Sequence, residues 1–371
     1  MQIVHVLNSG VISGPEMLVV PALKKLSSLR EVWSLEELRQ DKGSGKLARF
    51  CEQIGIPVVA VPVASRLDIR AVLHLRRLIN GLPRNTIIHS HDAKASVYVW
   101  LARLFLFKRS TLLFATHHGA LVRDNFISRI YEMIFVRIAG LFFNRVLCVS
   151  ESEFRLLMER GVSLKILRCH RNGVSRPALQ WHERRAKPED EVSRIAILAR
   201  LSPEKNIIRA LRTLAVMDQK FCRKWSLDIL GEGREKERLF ASAIELGIGD
   251  KVHLRGFVPE AWRELDNYHC LLSFSLGEGL PVSLLEAGWR QTPVFASAVG
   301  GVPEVCGDGA GVLFSLNDSD EVIAHRLADY LRCPQQLRST ASQLQRRVFD
   351  CFSQERWLDE LMTHYASVSA D

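Results

Sequence analysis

The chain predicts an α/β protein built as two parallel-sheet domains, and three observations carry that prediction. Short apolar runs alternate with helical patterns, which argues for parallel strands joined through helices. The alternation stops at one polar, charged stretch and then starts again. Finally, 371 residues exceed one ordinary core and suit two domains of about 150–200 residues each. With 47% apolar and 25% charged residues, the composition is that of a folded globular chain.

In the first half, IVHVL, PVVAVPV, TIIHSH, LLFATHH and RVLCVS read as strands. MLVVPALKKLSSL, KLARFCEQIG, IRAVLHLRRLI and the segment after Asp124 read as helices. MQIVHVLNSG lacks the charged and long apolar regions of a signal peptide and reads as the first strand. The most apolar stretch, from Phe126 to Val149, is interrupted by Arg129, Glu132, Arg137 and Arg145, so no membrane span is expected. Residues 175–192, dense in charge and prolines, read as a linker between an N-terminal domain (1–174) and a C-terminal one (193–351).

Beyond the linker the strand candidates are RIAILAR, WSLDILGEG, KVHLRGFV, CLLSFS, PVFASAV and GVLF. Helices are expected from Lys205 to about Met217, over Glu235–Leu246 and from Pro281, whose missing N–H suits a first helical position. FSQERWLDELMTHYASV reads as a closing amphipathic helix, residues 352–371, that packs back on the N-terminal domain. Two Rossmann-like domains imply a cleft between them, and in such sheets ligands bind beyond the carboxyl ends of the strands. Functional residues are therefore sought just after each strand.

After the first strand, NSGVISGPEM places Gly10 and Gly14 at a turn into a helix, where amides can approach a phosphate. After LLFATHH, His118 meets a glycine turn and can reach a ligand, while His117 alternates to the other face of the strand. HSHD and THHG have the look of metal ligands, yet no carboxylate or cysteine pattern completes a site, so no metal is expected. LARLSPEKN sets Arg200 and Lys205 five residues apart around a proline turn that opens a helix, an arrangement suited to a diphosphate. In GEGLPVSLLEAG, Glu278 lies in a loop and Glu286 about one turn into a helix, both near its positive end.

Three features are decoys or background. DKGSGKL is no phosphate loop, because Gln40 and Leu47 stand where Gly and Ser/Thr are required. NDSDE is better explained as a helix cap with an acidic first turn than as a metal motif. The eight cysteines show no metal spacing and fit buried free thiols.

Charge is concentrated. Between Arg70 and Arg145 stand twelve Lys/Arg and three Asp/Glu, a local excess equal to the whole-chain +9. Interleaving with apolar runs such as VWLARLFLFKR favours an anionic membrane surface over nucleic acid. A solvated basic face without a partner fits as well.

The ordered motifs GPE, HSHD, THHG, CVSESE, RNGV, ARLSPEKN, LGEG, VHLRGFV, GEGLPVSLLEAG and VGGVPEV resemble those of the retaining GT4-type glycosyltransferases of GT-B fold. The resemblance runs from Met1 to Phe314 and includes the closing FSQERW helix. It implies two Rossmann-like domains facing across a cleft and transfer from a UDP- or GDP-linked sugar to a saccharide or lipid-linked saccharide. It also implies retained anomeric configuration, no cofactor and a role in envelope polysaccharide assembly. The expected place is cytoplasmic, peripheral at the inner face of the cytoplasmic membrane. By position, Arg200 and Lys205 would neutralise the diphosphate and Glu286 would accept hydrogen bonds from the ribose diol. Glu278 and the backbone of Gly279, Leu280 and Val282 would hold the sugar and β-phosphate, with Gly231 and Phe257 completing the nucleotide-sugar contacts. His118 would touch the sugar near its reacting carbon and Gly14 the phosphates. The catalytic set implied is His118, Glu278, Arg200 and Lys205. Pro15 and Asn206 stand where the family more often has glycine, and Pro15 removes one amide from the phosphate loop. A sugar phosphorylase, a nucleotide-sugar epimerase and a non-catalytic nucleotide-sugar-binding subunit are the alternative readings.

Overall fold

The computed structural model describes residues 2–8, 14–37, 45–65, 67–104, 111–119, 126–175, 192–221 and 224–369. The chain divides into two compact units, Met1–Ser175 with Gln354–Asp371, and Arg176–Ser353. Of the expected linker, 176–191 lie outside the described residues, as does Gly10.

The first unit runs β1 (Ile3–Asn8), α1 (Gly14–Leu23), β2 (Leu29–Glu37), α2 (Lys46–Gln53), β3 (Val58–Val63), α3 (Ile69–Asn80), β4 (Ile87–His91), α4 (Asp92–Arg103), β5 (Leu112–His117), α5 (Phe126–Phe142), β6 (Arg145–Cys148), α6 (Glu151–Glu159) and β7 (Leu167–Cys169). The second runs β8 (Ser193–Leu198), α7 (Ile207–Phe221), β9 (Trp225–Leu230), α8 (Lys236–Glu245), β10 (Val252–Gly256), β11 (Cys270–Ser273), α9 (Val282–Trp289), β12 (Val294–Ser297), α10 (Val302–Cys306), β13 (Val312–Phe314), α11 (Asp320–Arg332) and α12 (Pro334–Cys351). The last helix, α13 (Gln354–Ser369), belongs to the first unit.

Both sheets are parallel, ordered β3-β2-β1-β4-β5-β6-β7 and β10-β9-β8-β11-β12-β13. Each reverses direction once, between β1 and β4 and between β8 and β11. That reversal splays the connecting loops apart and leaves a crevice at the carboxyl edge. Helices cover the sheets, so β4 is buried at every position even though His89, Ser90 and His91 make up most of it. Buried polar groups of this kind need partners. Ser90 finds them in the Ser96 hydroxyl at 2.8 Å and the Phe114 carbonyl at 3.2 Å.

Several expectations shift. The helix expected over MLVVPALKKLSSL stops at Leu23, and Leu29 opens β2, an interior strand. Its charged ends hide a buried centre, Val32–Glu36, where Glu36 accepts from Ser34. The VWLAR part of the apolar basic run belongs to α4, whose Val99 and Ala102 are core residues, so that portion packs inward. Residues 105–110 lie outside the described segments. Pro281 caps α9 one residue before its first turn instead of occupying it. Leu47, at the decoy phosphate loop, is core in α2. Ser319 caps α11 through the Val322 amide with Asp320 and Glu321 behind it, as a capping reading of NDSDE requires. Cys51, Cys148, Cys169, Cys270, Cys306, Cys333 and Cys351 are free thiols. Among the described residues no helix is long and apolar enough to cross a membrane.

Candidate functional site

In the second unit, the loops leaving β8, β9 and β11 are knitted together through backbone. The Leu201 amide donates to the Glu232 carbonyl at 2.9 Å, and the Leu276 amide to the Glu204 carbonyl at 2.9 Å. Two glycines permit the close approach. A Cβ on Gly231 (φ +151°) would sit 1.9 Å from the Ala199 carbonyl oxygen, and one on Gly300 (φ +52°) 1.8 Å from that of Glu278. No other residue fits either place. The result is a shelf of packed backbone along the carboxyl edge.

Lys205 ends a 3-10 turn, Pro203–Lys205, whose C-cap Asn206 is left-handed (φ 50°). Asn tolerates that conformation better than most residues, which accommodates the departure from glycine there. The turn aims Lys205 Nζ at Glu278 Oε1, 2.5 Å away, and the Ser275 hydroxyl donates to the same oxygen at 2.6 Å. The two expected site residues thus meet across 73 positions of sequence, both largely buried at 19% and 12% side-chain exposure. Arg200 is more open (53%) and lies 3.5 Å from Glu204. Burial acts to raise the Glu204 carboxyl, but the nearby Ser202 hydroxyl and its own amide, with Arg200 and Lys205, carry it below its usual value.

Glu286 stands one turn into α9. Its surface is only partly covered, yet desolvation alone pushes its carboxyl from 4.5 up to about 8. A recessed acid with no ion-pair partner among the described residues is poised to take hydrogen-bond donors from a ligand. Gly279 and Leu280 are buried, so the Leu280 side chain is turned away from a ligand, and Val282 opens the helix. Phe257 follows β10 with its ring 68% exposed, after Gly256 in the left-handed region (φ 71°). Ser275 and Glu204 are members that sequence reasoning passed over. Ser275 lies three residues before Glu278 in the same loop, and that proximity was the available signal.

In the first unit, Gly14 begins α1 and Pro15 lies in its first turn, where a missing N–H costs little. His117 and His118 point to opposite faces of the sheet. His117 faces α5 and α6, donating to Glu132 at 2.6 Å and to Glu153 and stacking on Phe135. Burial opposes the charge, but Glu153 and Glu132 together lift the imidazole to about 10, which makes this a buried imidazolium between two carboxylates.

His118 joins a different group. β1 pairs His5 with His89 in register, and His91 follows on the same face of β4. The His5, His89 and His91 ring nitrogens come within metal-ligating reach, all within 4.8 Å. Their geometry argues against an ion between them. His5 Nδ1 and His91 Nε2 are 2.9 Å apart, a hydrogen bond, whereas two nitrogens on a tetrahedral zinc at about 2.0–2.1 Å would lie roughly 3.3 Å apart. The rings also stack, with interplanar angles of 20–36°, so their lone pairs do not converge. Burial drives the His5 imidazole down to about 3 and lowers His89 and His91 strongly as well. The group is neutral. Asp92, next in the chain, adopts φ +74° and caps α4 through the Ala95 amide. The alternating HSH of β4 was visible in sequence; that His5 and Tyr365 of α13 complete the cluster was not.

Two family models match the chain: Glycosyl transferases group 1 over residues 180–347 and Glycosyltransferase Family 4 over residues 36–176. No curated protein matches it by sequence. Among solved structures, HepE from Anabaena in complex with UDP and glucose is similar at TM-score 0.84 and 18% identity, covering 99% of this chain and 100% of that one. Sucrose-phosphate synthase from Thermosynechococcus elongatus is similar at TM-score 0.78 and 16% identity, with 100% of each chain covered. The lipopolysaccharide outer core galactosyltransferase WaaB is similar at TM-score 0.73 and 18% identity, with 99% of each covered. At such identities the likeness is one of fold.

Proposed function

Because the chain belongs to the GT4-type glycosyltransferases of GT-B fold, we propose that it transfers a sugar from a UDP- or GDP-sugar to a saccharide or lipid-linked saccharide, with retention and without a resident metal. The observation that carries this reading is the junction of Lys205 with Glu278 on the carboxyl edge of the second sheet, with the recessed Glu286 one turn into the helix that follows the Glu278 loop. A nucleotide-sugar offers hydroxyl-rich ends around an anionic middle. Glu286 accepts from the ribose diol, Glu278 from sugar hydroxyls, and Lys205 and Arg200 meet the diphosphate. On binding, Lys205 exchanges part of its contact with Glu278 for phosphate oxygens. The exposed ring of Phe257 is free to stack on the base.

In the reaction the anomeric carbon–phosphate oxygen bond breaks while the acceptor oxygen bonds from the same face. The acceptor proton passes to the departing diphosphate, whose growing charge Lys205, Arg200 and the start of α9 stabilise. HepE was solved with UDP and with UDP-glucose, which makes those ligands the first probes. The test is a thermal-shift panel of UDP, GDP and their sugar conjugates. Stabilisation by one nucleotide series is expected, and none by any would overturn the reading. Unchanged turnover in EDTA and an NMR-assigned product anomer test the metal-independent and retaining parts.

For the acceptor side, α3, α5 and the C-cap of α4 expose Ile69, Leu73, Leu104, Met133, Leu141 and Phe142, with exposed arginines Arg70, Arg77, Arg129 and Arg137 on α3 and α5. This mixture supports peripheral binding to an anionic membrane and thus a lipid-linked acceptor of envelope polysaccharide assembly. Liposome flotation tests it: no binding to anionic vesicles sinks the membrane part alone.

A further inference from the structure

One buried polar assembly runs through the first unit and ends at His118. Six side chains of the first unit form a continuous hydrogen-bonded series from Thr116 to His118. Thr116 Oγ1 lies 2.7 Å from His89 Nε2, and His89 Nδ1 lies 2.5 Å from the Tyr365 hydroxyl. That hydroxyl is 3.4 Å from His5 Nε2, His5 Nδ1 is 2.9 Å from His91 Nε2, and His91 Nδ1 is 3.0 Å from His118 Nε2. His5, His89 and Tyr365 are fully buried, and only His118 at the far end is part-exposed.

A neutral imidazole carries one N–H, so every ring in such a series must donate from one nitrogen and accept at the other. The protons therefore all point one way or all the other, and the orientation at one end dictates the tautomer at the opposite end. Tyr365 decides which. Its O–H is the more acidic donor, and its shorter contact is to His89 Nδ1, so it donates there. It can then only accept from His5 Nε2–H. It follows that His91 donates from Nε2 to His5, and His118 donates from Nε2 to His91.

We propose that His5, His89, His91 and Tyr365 are positioning residues that lock His118 as its Nε2–H tautomer with that proton turned into the protein. His118 then meets a ligand as an oriented ring whose Nε2 proton is already committed. α13, at the far end of the sequence, thereby sets the chemistry of a residue at the end of β5. The importance of this for sugar transfer rests on the function proposed above, but the tautomer does not.

The test is 15N–1H correlation of histidine-labelled full-length protein, with His118 assigned through His118→Gln. In the wild type a single Nε2–H form is expected; an Nδ1–H form or a mixture overturns the proposal. Tyr365→Phe removes one hydroxyl and frees His5 to reverse, so His118 should become a mixture of tautomers while a Thr116→Ser control stays unchanged. His91→Phe keeps the stacked ring, removes the last link and should likewise release His118, which covers failure of the first variant to fold. An unchanged His118 signature in either folded variant overturns the proposal. Nucleotide thermal shifts on the same samples report separately on donor binding, so failure of the function leaves this outcome readable. If UDP-glucose is a donor, Tyr365→Phe should lower its turnover about 10- to 100-fold at little-changed KM.

Discussion

Apart from the extra edge strand β7, the two units share one strand order and place polar residues at the same topological point, yet they handle them in opposite ways. Between β1 and β4 the polar groups are imidazoles, neutral, buried and satisfied by one another. Between β8 and β11 they are charged, joined as Lys205–Glu278, and the helix that follows carries Glu286, an acid whose protonation burial has shifted. A crevice at a sheet reversal is thus a place and not a chemistry. What distinguishes the two is whether the side chains complete each other or leave capacity for a ligand. The buried clamp His117–Glu132–Glu153, on the other face of the first sheet, is the charged extreme of completion.

The comparison can be broken most sharply at Lys205. Lys205→Ala should lower donor turnover by one to several orders of magnitude, since it removes a charge-assisted contact of about 1.5–3 kcal/mol and leaves Glu278 facing the diphosphate. Steady-state kinetics on the donor found in the nucleotide panel checks it, and wild-type turnover would take Lys205 out of the site.

Next is the clamp. His117→Gln should destabilise by about 3–5 kcal/mol, because two buried carboxylates lose the cation between them. Denaturant unfolding at pH 7 measures this. The sign with pH also follows. An imidazole raised from 6.5 to about 10 contributes fully below the unfolded value and loses that contribution as pH climbs through 10. Wild-type stability should therefore fall between pH 7 and 10 in a way the variant's does not.

Glu286 should show the reverse kind of residue, one that costs stability. Its folded carboxyl titrates at about 8 instead of 4.5, so the folded state holds the proton more tightly across that window and stability falls as pH rises through it. Glu286→Gln should raise the melting temperature relative to wild type at pH 8.5, with a smaller gain at pH 5, while weakening UDP binding. Calorimetry at the two pH values decides. A variant equally or less stable at pH 8.5 would mean the carboxylate is compensated.

The smallest effect is expected at Phe257. Phe257→Ala should raise the donor KM several-fold through lost stacking worth about 0.5–1.5 kcal/mol, with no change in melting temperature.

Much of this was legible in the residues themselves. Apolar runs marked β1, β4, β5, β8, β9 and β11, all but β4 followed by glycine or proline, and the segments just after them hold Arg200, Lys205, Glu278 and His118. The alternation of THH placed His117 and His118 on opposite faces before any coordinates. Other elements hid behind their composition. β2 reads as charged because its acids and arginine sit at the ends of a short buried centre. α4 carries a Val-Tyr-Val-Trp run that favours a strand, and packing between α3 and α5 overrides that preference.

By itself, then, the sequence determined the alternation of strand and helix, the two-domain plan and which residue types stand at strand ends, because these depend on local periodicity and on the backbone demands of glycine and proline. Only the tertiary structure decided which of those residues meet. Lys205 and Glu278 are 73 residues apart, and Tyr365 lies 276 from His89. Such pairings come from strand order and the path of the last helix, which no local pattern encodes. Protonation was settled there too, since the same imidazole is neutral at His91 and charged at His117 according to what surrounds it.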